Sequence, residues 1–127
     1  MTIDRLDHLV LTVKNIEVTC AFYERVLGMK IVNFDTGRRA LAFGTSKINL
    51  HEQGREFEPK ANKPMPGSAD LCFITSASME EVMRHLQECE VQVIEGPVDR
   101  AGALGEIKSV YFRDPDLNLI EVSNYPF

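Results

Sequence analysis

The feature that most constrains this chain is that one order of strands and helix occurs in it twice. Leu6 to Val13 (LDHLVLTV) alternates apolar and polar residues and is rich in β-branched ones, which predicts a strand. Asn15 is placed to cap a helix over 16–27, in which Ile16, Cys20, Phe22, Val26 and Leu27 recur near helical spacing, and Gly28 ends it. Short strands over Lys30–Phe34, Arg39–Phe43 and Lys47–His51 follow. The order then restarts with a strand over Ala69–Thr75 and a helix that opens on the Ser78/Glu81 capping box and runs to about Glu88. Val91–Glu95, Ile107–Phe112 and Leu117–Ser123 read as strands, with Gly96–Gly105 as a loop between the first two. Pro59, Pro64, Pro66, Gly54 and Gly67 mark the stretch between the copies as a connector. The expected fold is α+β, one domain over 1–127. Two βαβββ modules, about 4–52 and 69–125, joined by a linker over 53–68, form cup-shaped mixed sheets with helices on the outer face.

Composition narrows the partners. The net charge of −5 comes without any run of Lys and Arg, which argues against nucleic acid and anionic membranes and leaves a small molecule as the expected partner. Cys20, Cys72 and Cys89 make neither a CxxC nor a zinc spacing, as expected of free thiols in a reducing compartment. No basic start leads into a long apolar stretch, and no apolar run is long enough to span a bilayer, so a cytoplasmic location is expected.

Alternation assigns the strand faces. Leu9, Leu11, Val13, Ile48, Leu50, Leu71, Phe73, Ile120 and Val122 turn toward the helices. His8, Asn49, His51, Asp70, Cys72, Glu121 and Ser123 turn away. Letter matching of AsnLeuHisGlu at 49–52 with AsnLeuIleGlu at 118–121 pairs Glu52 with Glu121; face matching instead pairs His51 with Glu121, setting Leu50 over Ile120. His8, His51, Asp70 and Glu121 then share the open faces. Imidazole nitrogens and carboxylate oxygens suit a divalent ion such as Ni, Zn, Co, Mn or Fe with positions left open for substrate. Tyr111 turns opposite to Phe112 and is a candidate substrate contact, as is Asn49. Arg100, in the glycine-flanked segment 96–105, is a candidate to hold a carboxylate or phosphate on a loop that closes over a ligand. His85, mid-helix between Arg84 and Leu86, reads as a surface residue.

LDHLVLTV at 6–13, AFYERVLGMK at 21–30 and YFRDPDLNLIEV at 111–122 resemble the vicinal oxygen chelate superfamily, which includes glyoxalase I, extradiol dioxygenases, and fosfomycin- and bleomycin-resistance proteins. The resemblance covers almost the whole chain. INLHE at 48–52, EFEPKA at 56–61, PGSADLCFIT at 66–75 and GEIKSVYFRDPD at 105–116 are similar to a glyoxalase-domain subgroup with virulence-associated bacterial members. It implies a metal held by His8, a residue near His51, Asp70 and Glu121. Family enzymes usually carry histidine where Asp70 stands, which removes the His-His-Glu triad of extradiol chemistry. The two-plus-two composition of the glyoxalase I ligand set is kept, with types exchanged between His51 and Asp70. The implied activity is a metal-dependent lyase or isomerase acting on a small oxygenated or thiol-conjugated substrate. It would work through bidentate chelation and enediolate stabilisation, with Glu121 as first-choice base and Asp70 as second. The alternatives are a ring-cleaving dioxygenase-like enzyme and a non-catalytic binding protein of bleomycin-resistance type. The family also implies a homodimer, since its members commonly share or swap modules between subunits.

Overall fold

A computed structural model describes all 127 residues, in two compact units, Met1–Gly67 and Ser68–Phe127. The first contains β1 (His8–Val13), α1 (Ile16–Leu27), β2 (Lys30–Phe34), β3 (Arg38–Phe43) and β4 (Ser46–Glu52). The second contains β5 (Asp70–Ile74), α2 (Met79–Glu88), β6 (Glu95–Gly102), β7 (Gly105–Arg113) and β8 (Leu119–Asn124). Each is the expected βαβββ module, and each sheet is mixed. The last three strands form an antiparallel meander, and the fourth returns to pair in parallel with the first, giving the orders β1-β4-β3-β2 and β5-β8-β7-β6.

Local chemistry fixes the helices. The Asn15 side chain accepts the Val18 N–H at 3.0 Å, and past the other end Gly28, at φ 65°, donates its N–H to the Glu24 carbonyl while Met29 donates to that of Tyr23. Between these caps Cys20, Tyr23 and Val26 are buried, and α1 packs on β2, β3 and β4. Val13, Leu41, Ile48 and Leu50 are fully buried in the first unit; Leu86, Val110, Phe112 and Ile120 are their counterparts in the second. Ser78 Oγ accepts the Glu81 N–H at 3.2 Å and starts α2.

Two expectations need correction. The strand foreseen over Val91–Glu95 lies instead over Glu95–Gly102, inside the segment read as a loop. β6 is an edge strand, paired only with β7, so Pro97 costs no ladder hydrogen bond there and sits where the register shifts between Glu95 and Val98. Glycine, proline and charge on that stretch are the composition of an edge. Gly96, at φ 111°, is required: a Cβ there would collide with the Ser109 carbonyl oxygen.

The repeat register is the second correction. In the first sheet His8 lies beside Lys47 and Val10 beside Asn49; in the second Asp70 lies beside Leu119 and Cys72 beside Glu121. With His8 equivalent to Asp70, the equivalent of Glu121 is Asn49, not His51, and His51 corresponds to Ser123. The error was a shift of two residues, which preserves the face and is invisible to alternation.

The Asp-Pro-Asp turn before β8 is a hydrogen-bonded clamp. Asp114 Oδ1 accepts the N–H groups of Asp116 and Asn118, both at 2.9 Å, and Oδ2 accepts Asn118 Nδ2 at 2.8 Å. Asn118 Oδ1 then accepts the Ala69 N–H at 2.8 Å and sets the start of β5 against β8. Both side chains are buried. Replacing Asn118 by Ala leaves buried donors and acceptors unpaired and is expected to cost about 2–4 kcal/mol, read as a lower midpoint in urea denaturation.

Candidate functional site

The open face of the second sheet is built around Glu121. Cross-strand pairing puts Tyr111 beside it on β7 and Ser109 beside Ser123. Ser109 Oγ donates to Glu121 Oε2 at 2.5 Å and lies 2.6 Å from Ser123 Oγ, itself 3.3 Å from Glu121 Oε2. With the Ser109 proton committed to the carboxylate, the one Ser123 proton is shared between Ser109 Oγ and Glu121 Oε2, and the Cys72 thiol, 3.3 Å away, donates to Ser123. Burial pushes the Cys72 thiol up, which keeps it a donor. Glu121 is thus held at one oxygen by a short chain of hydroxyls.

Next to it Arg100 Nε donates to the Tyr111 hydroxyl at 3.0 Å, and Nη2 pairs with Glu95 at 2.9 Å. Burial raises the Tyr111 phenol above its usual range, with the Glu121 carboxylate acting in the same direction and Arg100 against it, so Tyr111 is a neutral phenol. A cavity of about 380 Å³ opens between Asp70, Glu95, Arg100, Tyr111, Arg113 and Glu121. The structure therefore gathers four of the candidate residues, Asp70, Arg100, Tyr111 and Glu121, on one face. Arg100 reaches it from β6, a paired strand, and not from a loop free to close.

On the open face of the first sheet, His8 is exposed and its Nδ1 lies 2.9 Å from Asp7 Oδ2, with Nε2 turned free. The hydrogen bond from His8 holds the Asp7 carboxyl below its usual range. His51 is buried, pairs in register with Thr12, and is not brought to His8. The four-residue step from Lys47 to His51 separates the two histidines by roughly 13 Å along the sheet, at about 3.3 Å per residue, whereas donors to one ion lie within about 4 Å of each other. His51 Nε2 instead faces Arg38 Nη2 at 3.4 Å. A guanidinium only donates, so His51 is the acceptor, neutral, with its proton on Nδ1. Burial and then Arg38 hold its pKa below the ordinary value, against Glu56 and Glu58. Asn49, 5% exposed, has its Oδ1 without a partner, and so does Arg38 Nε. No group of three or more His, Cys, Asp or Glu side chains is drawn together at ion-holding spacing.

Sequence reasoning missed Arg38, Lys47, Ser109 and Ser123. The last two carried a signal in their parity, since both fall on the Glu121 face.

The fold agrees with comparison to known proteins. The Glyoxalase/Bleomycin resistance protein/Dioxygenase superfamily matches residues 5–122, and the chain belongs to that superfamily. It is 58% identical over 125 residues to virulence protein STM3117 of Salmonella typhimurium, covering 98% of this chain and 87% of that protein. The crystal structure of STM3117 superposes with a TM-score of 0.97 over 98% of this chain and 99% of that one. Glyoxalase domain-containing protein RDO1 of Mycosarcoma maydis is 55% identical, over 98% of this chain and 70% of its own length. The fold alone is shared with two more distant structures. One is lactoylglutathione lyase from Agrobacterium tumefaciens (23% identity, TM-score 0.74, full coverage of both chains). The other is the fosfomycin resistance protein FosX from Listeria monocytogenes, crystallised with Mn(II) and 1S,2S-dihydroxypropylphosphonic acid (21%, 0.65, 95% and 90% coverage).

The His51 arrangement has a pH signature. Its folded-state pKa is depressed, so its contribution to stability is present above the unfolded value near 6.5 and is lost as pH falls through the folded one. Stability measured by denaturation at pH 5.5 relative to 7.5 is expected to fall more in the wild type than in His51→Gln. In Arg38→Gln the His51 pKa, followed by NMR, is expected to rise.

Proposed function

We propose that the chain is a glyoxalase-type, metal-dependent lyase or isomerase that acts on a small oxygenated substrate, with Glu121 as the base. The observation that carries this reading is the Glu121 carboxylate, oriented at one oxygen by Ser109 and Ser123, opening on a cavity shared with Tyr111 and Arg100. A base that shuttles a proton next to a carbonyl needs such fixed aim. Glu121 takes the proton from carbon and returns it to the neighbouring carbon, Tyr111 offers a neutral hydroxyl to a substrate oxygen, and Arg100 holds an anionic group. Asp70 is the second choice of base.

By donor type alone, three of the four candidate residues suit a divalent ion, although no three such side chains are drawn together within the chain. His8 has Nδ1 oriented by a carboxylate and Nε2 available, the pattern of a metal-ligating histidine. Asp70 and Glu121 supply oxygens from the second sheet. His51 does not fit, since a guanidinium occupies its Nε2 side. When bound, Ni, Zn, Co, Mn or Fe would polarise adjacent substrate oxygens as a Lewis acid. We take the working form to be a cytoplasmic homodimer; three cysteines outside any disulfide support the location. A second reading, a binding protein without chemistry, is favoured by one feature: Asn49 stands where the repeat would place a carboxylate.

Reconstitution with each ion in turn and assay on hemithioacetals tests this reading. Turnover is expected with at least one ion, with a loss of about 10²–10⁴-fold in Glu121→Gln. Inactivity with every ion overturns it, and a metal-free protein that still binds small molecules establishes the second reading. Ser109→Ala is expected to lower kcat by about tenfold, because Glu121 loses its closest donor.

A further inference from the structure

The two open faces occupy equivalent places in the repeat but carry opposite chemistry. In the second sheet a carboxylate, Glu121, is served by the hydroxyls of Ser109 and Ser123. At the matching places of the first sheet stand a neutral amide, Asn49, with Arg38 and His51 beside it. Lys47 stands where the second sheet has Leu119.

Neither Arg38 nor Lys47 has an anion. Asp7 pairs with Arg5 and His8, Glu56 and Glu58 with Lys60, Glu17 with Arg39 and Glu52 with Arg55, while Asp35 lines a cavity with Arg38 without an ion pair to it. Both cations lie against rings instead. Lys47 Nζ is 4.0 Å from the centre of Phe34, and the Arg38 guanidinium is 5.0 Å from Phe34 and 4.8 Å from Phe57. The same guanidinium has its Nε buried and unpartnered, and its Nη2 makes only the long 3.4 Å contact to His51. Nε and Nη2 form the edge on which a carboxylate binds with two parallel hydrogen bonds. Asn49 Oδ1, buried and without a donor, lies two residues along β4 from His51 on the same face.

We infer that the open face of the first unit is a subsite for a small hydroxy-carboxylate with an aromatic or apolar body. The carboxylate takes the Nε/Nη2 edge of Arg38 with Lys47 as second cation, the hydroxyl donates to Asn49 Oδ1, and the body packs on Phe34 and Phe57. His51, as a neutral acceptor, keeps the guanidinium edge in place until the carboxylate replaces it. The inference goes beyond the proposed function and rests on it only in taking the open faces to bind a small molecule; no metal is involved.

The test uses EDTA-treated protein and mandelate as probe, with mandelamide and phenylacetate as its uncharged and hydroxyl-free counterparts, by calorimetry and by NMR of the ¹⁵N-labelled chain. Saturable mandelate binding is expected, at least about tenfold tighter than mandelamide, with phenylacetate between them. The Arg38 Nε–H resonance is expected to shift on binding. Arg38→Gln and Lys47→Gln should each weaken mandelate by about tenfold or more, Arg38→Lys less than Arg38→Gln, and the exposed Arg55→Gln not at all. Equal affinity for mandelate and mandelamide overturns the inference. So does an Arg38 Nε–H resonance unmoved at saturation, a reading that needs no variant to fold, and so do shifts confined to Arg100 and Tyr111. Because the protein is metal-free, failure of the lyase reading leaves this binding intact, and failure of this binding leaves metal-dependent turnover intact.

Discussion

The parallel pairing of first and last strands is the contact on which the rest depends. A βαβββ module could leave β1 on the edge of a three-stranded meander. Instead β4 runs beside β1 over six residue pairs, from His8 with Lys47 to Val13 with Glu52, and β8 runs beside β5 in the same way. Parallel strands need a long crossover, which α1 and α2 supply, and α1 packs on β2, β3 and β4. In the second unit the Asp114–Asn118 clamp adds a fixed point, since Asn118 ties the start of β8 to the residue before Asp70.

Duplication then gave one geometry two chemistries. The half-buried Glu121 carboxylate takes its hydrogen bonds from Ser109 and Ser123, which add no charge. In the first unit the neutral Asn49 holds the place of Glu121, and the Arg38 guanidinium, at the place of Ser109, lies beside a neutral His51. The substitutions are coupled in sets: exchanging Glu121 alone for an amide, or Arg38 alone for serine, would leave buried groups unmatched.

Much of this was legible in the sequence, for physical reasons that differ by element. Helix α1 could be read to its ends because its caps, Asn15 and Gly28, act within a few residues of chain. The faces could be read because alternation is a local property of a strand. The placing of Asp70, Tyr111 and Glu121 on the open face followed from it. Register could not be read, because it is set by hydrogen bonds between distant strands. A shift of two residues therefore exchanged Asn49 for His51 with no change in pattern. β6 was hidden because an edge strand tolerates proline, glycine and charge that would exclude a central one. The cations Arg38 and Lys47 were passed over because their meaning lies in what they lack, a partner, which only the packed chain reveals.

The pinning of β6 at Gly96 also bears on time. Arg100 belongs to a hydrogen-bonded strand held hard against the Ser109 carbonyl, so the wall of the second unit's cavity stands before any ligand arrives. Lid-gated proteins wait microseconds to milliseconds for a loop to close, and that wait often limits turnover. Here arrival is governed by diffusion and departure by the strength of the contacts themselves, so residence on this wall is set by chemistry alone.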